Sequence, residues 1–421
     1  MIREIRDQLN GRISWRQTFT ALKYPNYKLW FWGQMVSLFG TWMQMTALGY
    51  LMFELTKSPA FLGYVGFASG VPTWLFMLYA GVVADRMSRR KLMIMTQTAM
   101  MALAFILAGL TFFHVIQPWH IIVLAFLGGV TNAFDAPARQ AIVQDLVDHE
   151  DMTNAIALNS AMFNTATAIG PAVAGVTYAL FGPAWCFTIN GLSFIAVIAA
   201  LAAMKLVRRQ EEGRDGRPQK NSVLSDLKEG LRYVAREPLI RTIISLVGVI
   251  SLFGFAFATL IPAWAVTILK GDATTNGLMQ SVRGFGALAS ALMIASLGRF
   301  KFRGKLLTFG SFAFPALLIV FSFIRSTPLA LVALFGVGFS LILVFNLANA
   351  AVQSLTPGSL RGRVMSVYSL TFFGLIPIGS LIIGWMATKF SEPSAIMVNS
   401  VITLAYAGIL VVFMPKLRRL A

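Results

Sequence analysis

One arginine, Arg283, stands in the middle of an apolar stretch, in the sequence Met279-Gln-Ser-Val-Arg283-Gly. A guanidinium in hydrocarbon costs several kcal/mol unless it is paired or hydrated, so an ionisable group in such a place is a candidate functional group. The apolar stretches carry no acid at a similar depth to pair with it. We therefore expect Arg283 to bind an anionic group of a ligand, such as a carboxylate or catecholate. The alternative is a structural arginine bonded to carbonyl groups at helix ends.

Polar side chains recur at helical spacing in three further apolar stretches, where they form a stripe along one side of each helix. Polar groups in hydrocarbon are costly, so such stripes face other helices or a water-filled pathway. Ligand contact and simple hydrogen bonding between helices both fit the spacing. The stripes consist of Gln34, Ser37, Thr41 and Gln44, of Ser160, Asn164 and Thr167, and of Asn346, Asn349 and Gln353.

Other kinds of chemistry find little support in the composition. A single cysteine, Cys186, excludes an intramolecular disulfide, and three histidines scattered over loops do not suggest a metal site. The chain has no P-loop or other nucleotide-binding motif. The apolar stretches also lack the cluster of ionisable or metal-binding residues that a membrane enzyme needs. We expect no cofactor, no metal and no enzymatic activity.

The elements that carry these residues are predicted to be membrane-spanning helices. Of the 421 residues, 57% are hydrophobic and only 12% are charged, whereas a soluble domain has about 25% charged residues. The mean hydropathy is +0.70, so lipid must cover much of the surface. Windows of about 20 apolar residues predict an all-α membrane protein with twelve transmembrane helices. The spans are expected at 29–53, 61–83, 92–114, 119–140, 156–180, 184–205, 241–268, 275–297, 305–324, 328–350, 364–388 and 394–414.

The basic residues predict the orientation of these spans. A net charge of +18 could suit a nucleic-acid partner, but the Lys and Arg residues lie in short connections between apolar stretches. Of the 35 basic residues, 30 fall on one side of the predicted membrane and four on the other, and Arg283 lies within a span. The positive-inside rule then predicts that both termini are cytoplasmic. No nucleic-acid partner is expected.

A polar segment, residues 206–240, separates two halves of the chain. Its second part has apolar residues at helical spacing, which predicts an amphipathic helix at the cytoplasmic membrane interface. We expect an N-terminal six-helix bundle at 1–205, the linker with its helix at 206–240, and a C-terminal six-helix bundle at 241–421. The apolar residues in question are Leu224, Leu227, Leu231 and Val234.

The two halves repeat one another. A shift of 209 residues places Gly170 on Gly379 and Gly175 on Gly384, and each half then has six spans. Two parallel six-helix repeats are the architecture of major facilitator transporters. The repeat therefore predicts the major facilitator fold.

A charged motif stands between the second and third predicted spans. Gly81 and Asp85 are four residues apart and share one helix face, and Arg86, Arg89 and Arg90 follow. This resembles the loop 2–3 signature of the major facilitator superfamily, G-x-x-x-D-R-x-G-R-R, with Ser88 where that family usually has Gly. A plain cytoplasmic charge cluster is the alternative.

The resemblance implies a charge relay. In that family an acid at the cytoplasmic end of the fourth helix contacts the loop 2–3 motif, and Asp135, followed by Arg139, stands at the matching place. The implied relay is Asp85–Arg89–Asp135, which would latch the halves together in the outward-open state. A proton-binding role for Asp135 is the alternative.

The fifth predicted span contains Gly170-Pro171-Ala-Val-Ala-Gly175. It resembles the G-P-x-x-G-G element of major facilitator exporters and antiporters, with Ala174 at one of the glycine positions. Proline removes a backbone donor and kinks a helix, while glycines permit close packing. An ordinary kinked and tightly packed helix fits the same residues.

Three further segments resemble one branch of the superfamily, which includes enterobactin exporters and transmembrane secretion effector proteins. They are Gly40-Thr-Trp-Met-Gln44, Phe134-Asp-Ala-Pro-Ala-Arg-Gln140 and Asn154-Ala-Ile-Ala-Leu-Asn-Ser160. The similarity covers roughly residues 25–410. It implies a multi-pass protein of the bacterial cytoplasmic (inner) membrane that exports a small amphipathic molecule, siderophore-like or drug-like, by alternating access.

Several expectations follow from the resemblance. Helices 1, 5, 8 and 10 line the central cavity in that family, which implies a substrate-binding role for Arg283 and for Gln34, Thr41, Gln44, Asn164, Asn346 and Asn349. An ion gradient would supply the energy, with protons as a possible coupling ion, and membrane lipid is the other expected partner. An importer or a lipid flippase on the same fold would share every motif. A channel is disfavoured by the internal repeat and by the lack of a charged pore ring.

Overall fold

The computed structural model describes residues 19–204, 223–297 and 302–414, with side chains everywhere except at 77, 78, 81, 82, 84–86, 223 and 224. Within these ranges all regular secondary structure is helical. The α-helices are α1 (Pro25–Thr56), α2 (Pro59–Arg86), α3 (Arg89–Phe112), α4 (Pro118–Leu146), α5 (Met152–Phe181), α6 (Pro183–Ala203), α7 (Val223–Arg236), α8 (Pro238–Val249), α9 (Ile261–Thr267), α10 (Ala273–Leu297), α11 (Arg303–Phe323), α12 (Thr327–Leu355), α13 (Arg361–Lys389) and α14 (Glu392–Phe413).

Proline marks the first turn of many of these helices. Pro25, Pro59, Pro118 and Pro183 each occupy the first or second helical position. The missing amide hydrogen is harmless there, because the first amides of a helix have no partner within the helix. The connections are short, and Lys57 between α1 and α2 takes the left-handed conformation with φ of 50°. Such tight reversals make consecutive helices antiparallel neighbours.

The described ranges contain nine helices, counting the segment Pro238–Thr267 as one, that are long and apolar enough to cross a membrane. Together with the composition they make the chain a multi-pass membrane protein. The nine are α3, α4, α6, the segment Pro238–Thr267, α10, α11, α12, α13 and α14.

The seventh predicted span, 241–268, coincides with the helical segment Pro238–Thr267, whose helix type changes along its length. After α8, the chain forms a π-turn at Ile250–Gly254 and a 3₁₀ helix at Phe255–Leu260, and it resumes an α-helix only at α9. Pro262 explains the restart, because a residue without an amide hydrogen fits the first turn of a helix better than its interior. Irregular turns inside a long helix often mark hinges.

The helices form two bundles. In the N-terminal bundle α1 packs against α5 and α6, and α4 packs against α2 and α3. In the C-terminal bundle α12 packs against α10 and α11, and α14 packs against α11 and α13. Helix α1 touches α9 and α10 across the bundles, and the two most extensive contacts between the bundles are those of α2 with α13 and of α5 with α10. We call these two contacts the α2–α13 seam and the α5–α10 seam.

The two ends of the bundles carry different helix ends and connections. The terminal face is the end that carries the start of α1, the end of α6, the start of α8 and the end of α14. The opposite face carries the connections α1–α2, α5–α6, α9–α10 and α13–α14. Helix α7 lies at the terminal face, where it packs against α13. It occupies the place where the sequence predicts an amphipathic helix.

Candidate functional site

The α2–α13 seam lies in the half of both helices that is nearer to the opposite face. The backbone amide of Ala60 donates a hydrogen bond to Thr388 Oγ1 at 2.9 Å. A Cβ atom added to Gly63 would lie 2.6 Å from the carbonyl oxygen of Ser380, and one added to Gly70 would lie 2.0 Å from Pro377 Cγ. The helices are therefore so close that only glycine fits at these two positions.

The α5–α10 seam lies in the same half of the molecule and is equally tight. A Cβ at Gly175 would be 2.7 Å from the carbonyl oxygen of Ala273, and one at Gly277 would be 2.4 Å from that of Pro171. Gly170, next to this proline, instead packs against Trp42 of α1, and a Cβ added to Gly170 would lie 2.8 Å from that of Trp42. The Gly170–Gly175 element thus joins α5 to two helices, while α5 stays helical from end to end.

Nearer the terminal face, the helix faces that form the seams are open. On α5 the contact face continues at helical spacing to Thr153, Ala157 and Ser160, and all three are exposed. On α13 the contact face continues to Ser366 and Leu370, which are exposed as well. Since the same faces are covered in one half and uncovered in the other, a cleft between the bundles opens to the terminal face and is closed at the opposite face.

Arg283 belongs to a polar stripe on α10. Asn276, Gln280 and Arg283 share one helix side, and the exposed apolar residues Leu278 and Phe285 lie on the other. Gln280 Nε2 donates to Asn276 Oδ1 at 3.3 Å. Arg283 is about 15 Å along α10 from its start at the opposite face, at a rise of 1.5 Å per residue. That depth is next to the end of the α5–α10 seam.

The Arg283 side chain is half-buried, and within the part of the chain that the structure describes it makes no hydrogen bond or ion pair. The alternative from the sequence, a guanidinium bonded to helix-end carbonyls, is therefore not what the described residues form. Five N–H donors remain for water or for a bound molecule. Sequence inspection singled out Arg283 but not Asn276, whose spacing of seven residues from Arg283 is a signal that could have found it.

The stripes on α5 and α12 carry exposed polar side chains, among them Ser160 and Asn346. Asn164 of α5 is half-buried and donates to the carbonyl of Ser160 at 2.8 Å. On α12, Asn346 is exposed, and Asn349 Oδ1 accepts a hydrogen bond from Gln353 Nε2 at 2.6 Å. These residues lie in the half of α12 nearer the terminal face. Their positions suit contact with a molecule in the cleft.

The stripe on α1 faces a different way. Gln44 Oε1 accepts a hydrogen bond from Asn190 Nδ2 of α6 at 2.8 Å, and Gln34 is 2% exposed inside the N-terminal bundle. Thr41 donates to the carbonyl of Ser37, one turn earlier in the same helix. The expectation that Gln34 and Gln44 line the central cavity is corrected, because α6 packs against this side of α1. Hydrogen bonding between helices, the alternative reading of the stripe, accounts for Gln44.

The charged motif between α2 and α3 connects helices of the N-terminal bundle through hydrogen bonds. Arg89 Nη1 donates to Asp145 Oδ1 at 2.8 Å and to the carbonyl of Ala141 at 2.9 Å. Arg90 donates to the carbonyls of Met204 and Ala202 at the end of α6, at 3.0 and 2.6 Å. Arginine is well placed there, because the last carbonyls of a helix lack partners and carry partial negative charge.

In this conformation Arg89 contacts Asp145 rather than Asp135. The relay Asp85–Arg89–Asp135 is predicted for the outward-open state and stays a prediction. The side chains of Gly81, Asp85 and Arg86 lie outside the described residues. Asp135 is 2% exposed, and its Oδ1 accepts hydrogen bonds from Thr96 at 2.8 Å and from Gln97 at 2.9 Å. Arg139 lies 3.5 Å from its other oxygen. Thr96, Gln97 and Arg139 thus surround one buried carboxylate.

Sequence inspection missed an ionic contact at the terminal face. Arg363, near the start of α13, donates to Asp226 Oδ1 and to Glu229 Oε1 of α7, both at 2.9 Å. Gly230, which follows Glu229, lies so close to α13 that an added Cβ would be 2.6 Å from the carbonyl oxygen of Arg363. The three-residue spacing of the two acids was a signal for a shared partner, but the partner itself lies over a hundred positions away.

A second missed contact fixes the start of α1. Tyr24 donates to Asp151 Oδ2 at 2.7 Å, and Lys23 Nζ lies 2.6 Å from the same oxygen. The amide of Ala21 donates to Asn154 Oδ1 at 2.9 Å. The hydrogen bond from Lys23 is the main reason that the pKa of Asp151 is lowered, and the bond to Asp151 likewise raises the pKa of Lys23. We call this group the α1 clamp.

Two helical bundles in a membrane, closed against each other at one face and parted by a polar cleft at the other, define a membrane transporter. Within the described ranges, no group of three His, Cys, Asp or Glu side chains is placed to hold a metal ion. A family model described as "transmembrane secretion effector" matches residues 16–420. The chain belongs to this family of major facilitator transporters.

Known proteins similar to this chain are transporters as well. The staphyloferrin A transporter of Staphylococcus aureus is 25% identical over 366 residues, which are 86% of this chain and 90% of that protein. The multidrug efflux pump Tap of Mycolicibacterium fortuitum is 24% identical over 392 residues, 90% of this chain and 93% of the pump. Both similarities run through nearly the whole of each protein.

Solved structures share the fold. The nucleoside transporter NupG aligns with a TM-score of 0.68 at 13% identity, over 93% of this chain and 98% of its own. A bacterial homologue of the human lysosomal transporter Spinster, solved in an inward-facing and unoccupied conformation, aligns with a TM-score of 0.69 at 13% identity, over 94% of this chain and 96% of its own. The recognition of a major facilitator transporter from the sequence is confirmed.

Proposed function

We propose that this protein is a twelve-span secondary transporter that moves a small amphipathic anion out across the bacterial cytoplasmic membrane by alternating access. The observation that carries the proposal is the cleft, which is closed by two glycine-lined seams at one face and contains an unpaired arginine near its closed end. Alternating access requires a second conformation in which the seams part and the terminal face closes. Relatives named as an efflux pump and as a siderophore transporter support export of a small molecule.

The twelve spans are the nine apolar helices of the described ranges together with α1, α2 and α5. Repeat-related glycines support the division into two six-helix bundles, 1–205 and 241–421, joined by 206–240. Gly175 packs α5 against α10, and Gly384 packs α13 against α2. Gly170 packs α5 against α1, and Gly379 packs α13 against the irregular segment after α8. A Cβ added to Gly379 would lie 2.1 Å from the carbonyl oxygen of Leu252. Glycines that are related by the shift of 209 residues thus lie in contacts between correspondingly placed helices.

We assign the terminal face to the cytoplasm, with both termini there. The positive-inside rule supports this assignment, because 30 of the 35 basic residues belong to that side. The cleft of the present conformation then opens to the cytoplasm, as an exporter requires when it takes up its substrate. Impermeant labelling of a cysteine at the exposed Ser225 of α7, from outside intact cells, would overturn the orientation.

The substrate is proposed to be anionic because of Arg283. It is the single basic residue that the sequence places within a span, and Gln280, Asn164 and Asn346 offer neutral hydrogen-bonding groups around the cleft. A guanidinium held in a place of low dielectric binds a carboxylate or catecholate strongly. Proton coupling is a further proposal. It is supported by the absence of a nucleotide-binding motif from the sequence, which makes an ion gradient the available energy source.

The latch predicted from the motif at Asp85 is proposed to act across the α2–α13 seam. The seam keeps one antiparallel register, with Ala60 at Thr388, Gly70 at Pro377 and Trp74 at Gly374. If the same register continues for eleven residues beyond Trp74 and Gly374, position 85 lies beside position 363 once the terminal face closes. Arg363 would then exchange the carboxylates of α7 for that of Asp85. The relay Asp85–Arg89–Asp135 stays a prediction for the same state.

Transport measured in inverted membrane vesicles tests the proposed function. A panel of siderophores, other organic anions and lipophilic cations is offered with and without a pH gradient. Arg283→Ala should raise the apparent KM for an anion by roughly 10- to 100-fold, as expected for a lost charged hydrogen bond, and Arg283→Lys should retain part of the transport. Arg325→Ala is the matched control, because Arg325 bonds carbonyls at the opposite face. An unchanged KM in Arg283→Ala, or transport of cations alone, would refute the substrate assignment.

An importer or a lipid flippase on the same fold is the second candidate. The cleft geometry is common to all three, so the direction of transport distinguishes them. Uptake of the anion into right-side-out vesicles down a pH gradient would favour the importer. Movement of a fluorescent phospholipid between leaflets, blocked in Arg283→Ala, would favour the flippase.

A further inference from the structure

Helix α7 separates its charged residues by sign. Its acids, Asp226 and Glu229, turn towards α13 and bond Arg363 at 2.9 Å each. Val234 is 7% exposed, and Leu227 packs against the core of the C-terminal bundle. One side of α7 therefore packs against the C-terminal bundle.

The basic residues of α7 occupy the other side. Lys228, Arg232 and Arg236 follow each other at a spacing of four residues, which keeps them within an arc of about 80°. All three are exposed, and none of them forms an ion pair with a described residue. A solvated helix surface usually mixes acids and bases as stabilising pairs four residues apart. This side of α7 instead presents positive charge alone.

An apolar edge runs between the two sides. It passes from the buried Val234 to Leu231, which is 50% exposed although it is a large aliphatic residue. Basic residues beside an exposed apolar edge are the pattern of a helix that lies at the level of lipid headgroups. The position of α7 agrees with this, since it packs at the start of α13, a helix that is apolar enough to span the membrane.

We propose that the basic side of α7 binds the headgroups of anionic phospholipids, with Leu231 inserted at the edge of the acyl chains. The acids face α13 and do not repel the lipid phosphates, so charge complementarity favours a bilayer over an acidic protein in the cytosol, which would leave Leu231 in water. The proposal concerns lipid binding and stands whether or not the transported molecule is an anion.

A fluorophore on the apolar edge tests it in the full-length protein. Leu231→Cys is labelled in a Cys186→Ala background and reconstituted in phosphatidylcholine, with or without phosphatidylglycerol, and brominated acyl chains serve as quencher. We expect stronger quenching when phosphatidylglycerol is present. Raising NaCl to about 1 M, where the Debye length is about 3 Å, should abolish the difference.

Two triple variants make the test specific. Lys228→Gln with Arg232→Gln and Arg236→Gln should abolish the effect of phosphatidylglycerol, because each basic residue contributes roughly fivefold to attraction by an anionic surface. The control removes three positive charges from the opposite face, through Lys270→Gln, Arg325→Gln and Lys389→Gln, and should keep the effect. Equal quenching in both lipids, or a full effect in the α7 variant, would overturn the proposal. Quenching by a brominated cytosolic peptide but not by lipid would assign the surface to a protein instead.

Discussion

Replacing Gly277 by alanine should force open the face that is now closed. A Cβ there would lie 2.4 Å from the carbonyl oxygen of Pro171 and 2.9 Å from the Cα of Gly175. Both neighbours are backbone, so no flexible side chain can yield, and α5 and α10 must separate by about 1 Å to reach an ordinary van der Waals contact. Overpacking of this kind costs about 1–3 kcal/mol. That free energy shifts an equilibrium between two conformations by roughly 5- to 150-fold.

The assay should monitor the other seam, so that a local disturbance is not mistaken for opening. Ser380 lies in the α2–α13 seam and is 3% exposed. In a Cys186→Ala background, Ser380→Cys is reacted with a membrane-impermeant maleimide from outside intact cells. If the bundles move as rigid bodies, parting the α5–α10 seam also parts the α2–α13 seam. We expect the labelling rate to rise by at least about fivefold.

The matched control is Gly408→Ala in α14, where an added Cβ meets no atom within 4 Å. It gains the same methyl group and the same helix propensity without any contact at a seam. Equal labelling rates in Gly277→Ala and Gly408→Ala, at normal membrane levels, would refute the rigid-body opening. Increased labelling only from the cytoplasmic side would instead reverse the assigned orientation.

Three further outcomes follow from the contacts at the terminal face. Asp135→Ala leaves Gln97 as a buried donor without its acceptor, while Thr96 keeps the carbonyl of Met93. This substitution should cost about 1–3 kcal/mol in detergent unfolding, whereas the more exposed Asp145→Ala should cost at most about 1 kcal/mol. Asp85→Asn and Arg363→Gln should each lower transport at normal expression, and the double mutant should add little if the two residues pair in the closed state; additive losses would contradict that pairing. The α1 clamp should be independent of pH from roughly pH 5 upwards. The reason is that the carboxyl of Asp151, whose pKa is lowered, stabilises the fold fully above its ordinary pKa near 4. That contribution is lost only as the pH falls through the lowered pKa. Hydrogen exchange of the amide of Ala21 would measure this, and protection that is lost already near pH 6 would contradict it.

Much of the architecture could be predicted from the amino-acid sequence because it depends on local chemistry. Long apolar runs must be helical in lipid, since every backbone polar group needs a partner inside its own segment. The glycines 209 residues apart, such as Gly175 and Gly384, do lie where helices pack closely. Arg283 was recognisable as a candidate site because a lone cation in an apolar run is costly wherever that run packs.

The partners of individual side chains could not be predicted, because periodicity shows only which residues share a helix side. The stripe on α1 and the stripe on α12 look alike in sequence. Yet Gln44 bonds Asn190 of α6, while Asn346 is exposed beside the cleft. Which neighbour covers a helix side depends on how the bundle assembles, and the same is true of Arg89, which contacts Asp145.

The sequence by itself determined the class of protein, the helices and the lone arginine among them, because the free energy of placing each residue type in lipid or water does not depend on the tertiary fold. Only the tertiary structure decided where the bundles touch. The seams depend on backbone approaching backbone to within the space of a missing methyl group, as at Gly63 against the carbonyl of Ser380. Such contacts join residues hundreds of positions apart, and they close one face of the cleft rather than the other because both seams lie in the same half of the molecule.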